Sequence, residues 1–72
     1  MTIEEAKKII SKSTKIKEES SGGGEFSFYH EGKVIAQSGY RLGLGSWIKF
    51  FIPFKNYAFF IREDAIEILN GS

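Results

Sequence analysis

The sequence predicts an α+β domain, with an N-terminal helix packed on a bent antiparallel sheet of four to five strands; closure into a small β-barrel is the alternative. Three observations carry this reading. The first dozen residues place apolar side chains at helical spacing behind a capping signal. From Glu25 onward the period shortens to two, with turn residues between the runs. From Trp47 to Ile61, aromatic and aliphatic side chains occupy both parities of that period, so both sheet faces are apolar. One face is the core, and the other requires a cover.

Residues 1–13 supply the helix. Thr2-Ile3-Glu4-Glu5 fits a capping box, Ile3, Ala6, Ile9 and Ile10 share a stripe, and Glu4, Lys7, Lys8 and Lys12 face out, with Glu4 spaced to pair with Lys8. The sheet takes up residues 14–72 in the same single domain. Thr14 to Glu19 reads as a charged edge strand anchored by Ile16, and residues 20–24 read as a flexible loop. Glu25–His30 and Lys33–Leu42 form a hairpin about Glu31-Gly32. In the expected register Phe26, Phe28 and Ile35 share one face, Tyr29, Val34 and Ala36 share the other, and Gly39 bulges or weakens the second strand.

Leu42-Gly43-Leu44-Gly45-Ser46 reads as a loose connection in which Leu44 either contacts a partner or folds inward. A strand from Trp47 to Ile52 follows, ended by Pro53. Phe54-Lys55-Asn56 turns the chain, and a return strand runs from Tyr57 to Arg62. A lysine is rarely buried unpaired, so Lys49 assigns Trp47 and Phe51 to the outer face and Ile48, Phe50 and Ile52 to the core. By the same argument Arg62 assigns Phe60 outward and Phe59 and Ile61 inward. For residues 63–69 a helical turn and a short closing strand are expected, with a helix capped by Asp64 as the alternative.

The chain has 72 residues, no cysteine, one tryptophan, and 15% aromatic residues. A chain of this size buries only about 60% of its unfolded surface, and without disulfides or thiolate metal sites association is the usual supplement. The net charge of +1 is unevenly spread: zero over residues 1–25, +4 over 26–62 and −3 over 63–72. The N-terminus has no apolar segment of signal-peptide length, and Lys49 and Lys55 interrupt the longest apolar stretch. A soluble, cytoplasmic protein is expected.

His30 is the sole histidine, so no multi-histidine metal site can be built, and no cofactor or metal is expected. His30 beside Glu31 at a turn, without positioned partners, does not make an acid–base site, and the chain is read as non-enzymatic. The expected activity is that of a small protein-interaction module. It would be homo-oligomeric, of the kind that serves as a regulator or inhibitor in phages and other mobile elements. Tyr29, Tyr40, Arg41, Leu44, Trp47, Lys49, Phe51, Phe60 and Arg62 are the candidate partner-binding residues.

The alternative is a single-stranded nucleic-acid-binding sheet or barrel, with the aromatics stacking bases and Lys33, Arg41, Lys49, Lys55 and Arg62 meeting phosphates. A helix followed by a bent antiparallel sheet resembles the Sm-like RNA binders in element order, although no residue motif of that family is present. A third reading has the glycine loops at 22–24 and 43–45 sequestering a small phosphorylated ligand between subunits.

Overall fold

The structure is a computed structural model that describes residues 1–19, 24–51 and 58–70. The expected core residue Ile52, the turn from Pro53 to Asn56, Tyr57 and the loop residues 20–23 lie outside them. The chain runs α1 (Ile3–Ser11), β1 (Thr14–Lys17), β2 (Phe26–His30), β3 (Lys33–Arg41), β4 (Gly45–Phe50), β5 (Ala58–Ile61) and α2 (Arg62–Asn70). The strands form one antiparallel sheet in the order β1-β2-β3-β4-β5, not closed into a barrel, and no described strand adds beyond β1 or β5.

The first helix begins as its sequence requires. The Thr2 hydroxyl accepts the Glu5 amide at 3.2 Å, and the Glu5 carboxylate accepts the Thr2 amide at 2.9 Å, which satisfies two otherwise orphaned donors. These bonds, the one from the Thr2 amide foremost, hold the Glu5 carboxyl below its ordinary pKa. Lys7 does not face solvent as a free charge. It reaches Glu67 of α2 at 2.8 Å and Glu4 at 3.7 Å, clasping the two helices, and its bond to Glu67 raises its pKa.

Residues 62–70 form a second helix, the alternative to the expected helical turn and closing strand, with Asp64 inside its first turn and not at its cap. Ala65 and Ile68 are spaced by three and are buried, Leu69 packs beside them, and Glu63 and Asp64 occupy the first turn where the helix dipole favours acids. Arg62 makes the corner in the left-handed region, at φ 56°. Such a conformation costs a residue with a Cβ roughly 1 kcal/mol. It ends β5 abruptly and sends α2 back across β4 and β5.

Both helices cover one face of the sheet. Ala6, Ile10, Phe28, Ala36, Ile48, Phe50, Ala65 and Ile68 form the buried core, flanked by Ile3, Ile9, Phe26, Ile35, Ala58, Phe60 and Leu69. The hairpin turn at Glu31-Gly32 has both residues at positive φ, 52° and 79°, as a two-residue connection of this type requires. The expected faces of that hairpin are corrected by a bulge where Phe28 pairs with Ala36 but Tyr29 pairs with Val34. The extra residue lets Ile35 and Ala36 both reach the core. Gly39 stays in register opposite Trp47 and makes no bulge.

In β5 the expected parity is reversed. Phe60 pairs with Ile48 and meets Phe50 edge-on at 6.1 Å on the helix side, while Phe59 pairs with Lys49 and Ile61 with Trp47 on the other side. Arg62 could not assign these faces because it belongs to the helix corner rather than to the strand. Ile48 is fully buried between the sheet and the helices. An Ile48→Ala substitution is therefore expected to cost about 2–5 kcal/mol, against under about 0.5 kcal/mol for Ile16→Ala on exposed β1. Urea unfolding followed by circular dichroism measures both; equal losses would place the core elsewhere.

Candidate functional site

The two described helices cover one side of the sheet. On the other, no described helix or strand packs, and register fixes its occupants. Ile16, Ser27, Gln37, Lys49 and Phe59 form one cross-strand row, and Gly39, Trp47 and Ile61 form the next. The first row is polar in its middle and apolar at its ends. Ser27 is buried and donates to the Glu18 carboxylate, which folds over it from the end of β1.

The apolar surface gathers at the β4–β5 corner. The rings of Trp47 and Phe59 stack at 6.3 Å with an interplanar angle of 20°, and Phe59 is 51% exposed. The Lys49 ammonium lies 5.4 Å from the centre of the half-buried Phe51 ring. Trp47 lies across the backbone of β3. A methyl group on Gly39 would stand 2.9 Å from Trp47 Cζ2, 3.1 Å from its Cε2 and 3.0 Å from Glu25 Cγ. The glycine is the seat of the indole.

Of the nine residues expected at the site, Trp47, Lys49 and Phe51 occupy this face as anticipated from Lys49. Tyr29, half-buried, sits on it nearer β1, paired with Thr14 and Val34. Arg41 and Arg62 border its far end: Arg41 pairs with Gly45, and the Arg62 stem passes 3.5 Å from where a Gly45 methyl would stand. Tyr40, 65% exposed, shares the helix-side parity with Ser38 and is separated from Trp47. Phe60 faces the core.

Leu44 is half-buried in a tight turn closed by its amide bonding the Arg41 carbonyl at 3.0 Å, so the expected loose connection is a hairpin. The exposed leucine there is Leu42, at 92%. Sequence reasoning missed it, together with Phe59, Ile61 and the seat at Gly39. The Leu-Gly-Leu-Gly spacing signals a hairpin tip and could have found Leu42; only the register finds the others.

The remaining candidates are dispersed. Lys33 stands at the opposite end of β3 from Arg41, about 26 Å away for eight residues of strand. His30 Nδ1 lies 3.2 Å from the Lys12 carbonyl and its Nε2 3.8 Å from Glu31, tying the end of α1 to the hairpin. A hollow of about 330 Å³ is bordered by Lys17, Glu18, Glu19 and Gly24, where two carboxylates oppose an anionic ligand. No cluster of three metal-ligating side chains occurs among the described residues, and none of their helices is long and apolar enough to cross a membrane.

Gly39→Ala is expected to push the indole off its seat, changing the near-ultraviolet circular dichroism of Trp47 and costing about 1–3 kcal/mol. An unchanged Trp47 signal would show that the ring does not rest there. Comparison with protein-family models, curated proteins and solved structures gave no match, so the fold and this surface stand on their own geometry.

Proposed function

We propose that this chain is a small non-enzymatic protein-interaction module that associates with itself through the β4–β5 corner of its helix-free face. The observation that carries the reading is the stacked Trp47–Phe59 pair, with Ile61 beside it, on a face that no described element covers. Phe59 is exposed, while Trp47 and Ile61 are half-buried beside it; contiguous apolar surface on such a face is characteristic of interfaces, and aromatic side chains dominate their energetics. A 72-residue chain without cysteine also gains stability by association. A role as a regulator or inhibitor that works by occupying a partner's surface fits such a module.

One observation favours a second reading, the binding of single-stranded nucleic acid. Arg41 and Arg62 flank Gly45 at the end of the aromatic corner, where they could meet phosphates while Trp47 stacks a base. Glu25, against the same corner, and Glu18, over Ser27, offset that positive field. The protein-interaction reading is preferred for this reason.

Light scattering at low and high salt separates the two. The module reading expects an oligomer that persists in high salt, and a Trp47→Ala, Phe59→Ala double variant that stays folded but associates at least tenfold more weakly. A wild-type chain that stays monomeric at every concentration, yet binds oligonucleotides with steep salt dependence, would overturn it in favour of the second reading.

A further inference from the structure

The two edges of the sheet are chemically unlike. At one edge, β1 reads Thr14-Lys15-Ile16-Lys17, entirely exposed, with Lys15 placing its ammonium 4.1 Å from the Phe26 ring centre. Lysines on an edge strand discourage a further strand from adding. At the other edge, β5 reads Ala58-Phe59-Phe60-Ile61, with no charge in it, and no described strand pairs with its outer side. In an antiparallel strand alternate residues direct their amide and carbonyl groups to each side, so half of those of β5 point away from β4.

We infer that the β5 edge is where a second copy of this chain adds, continuing the sheet across a two-fold axis; this rests on the self-association proposed above and assigns its geometry. The open backbone groups of β5 call for an extended strand, and an antiparallel copy of β5 supplies one. A two-fold axis perpendicular to the sheet pairs residues of like parity, so helices stay with helices and Phe59 and Ile61 of one copy lie beside those of the other.

The position of the aromatic surface agrees with this. Trp47, Phe59 and Ile61 lie on the last two strands instead of the centre of the face, so edge pairing joins two small patches into one band. A net charge of +1 opposes the approach of two copies only weakly. Two-fold pairing at β5 also leaves each copy's lysine-guarded β1 at an outer end of the sheet, so assembly stops at the dimer.

Amide hydrogen exchange, resolved by residue and measured at concentrations below and above the association midpoint found by light scattering, tests the inference. The expected result is that alternate amides of Ala58–Ile61 exchange rapidly in the monomer and at least tenfold more slowly in the dimer, while those of Thr14–Lys17 do not change. A dimer in which the β5 amides gain no protection, or in which β1 gains it instead, would overturn edge pairing and leave self-association standing. Outward β5 amides already protected in the monomer would overturn it as well. A chain that never dimerises would remove both the inference and the self-association beneath it.

Discussion

Three alanines set the distance between the layers of this domain. Ala6 on α1, Ala65 on α2 and Ala36 on β3 are completely buried, which permits the helices to approach the sheet closely enough to enclose Ile48 and Phe50. Close packing of this kind is intolerant of added volume, since interiors have the density of organic crystals. It also demands that both helices lie on the same face, clasped together by Lys7 and Glu67. With two short helices committed to one face, a 72-residue chain has no further described element to set against the other.

The face that no described element covers follows from that commitment, and its details follow from register. Because β3 and β4 pair Gly39 with Trp47, the one glycine of β3 lies beneath the largest side chain of the protein. The indole settles across the strand and stacks on Phe59 of β5. The polar middle of the same face is quieted locally, as where Glu18 accepts from Ser27. Ile16, Tyr29 and Val34 add apolar surface towards β1, but the stacked aromatic pair lies towards the β5 edge, and edge and patch together give the surface its proposed use.

Much of the fold was legible in the residues. The capping box, the helical stripe of α1 and the Glu31-Gly32 turn each have a local chemical signature and take the expected form; the lysine-bearing edge strand also forms, but it ends at Lys17 and Ile16 is exposed on it instead of anchoring it. The faces of β4 were also legible, because a single lysine in a strand constrains its neighbours on both sides. The same argument failed for β5, since Arg62 lies at a left-handed corner and reports nothing about the strand before it. Reading Ala65, Ile68 and Leu69 as a helical stripe would have ended the strand at Ile61 and removed that error. The bulge opposite Phe28 and the seat of Trp47 on Gly39 were not legible, since both depend on pairing between distant residues.

The central claim is that the Trp47 corner is open in the isolated chain and covered when copies meet. Because Trp47 is the sole tryptophan, its fluorescence reports on that corner without ambiguity. The measurement is the emission maximum and iodide quenching of the wild-type chain across a dilution series. The account predicts a shift to shorter wavelength and reduced quenching as concentration rises, following the change in solution mass. Emission and quenching that stay constant while the mass changes would place the interface elsewhere and contradict the claim.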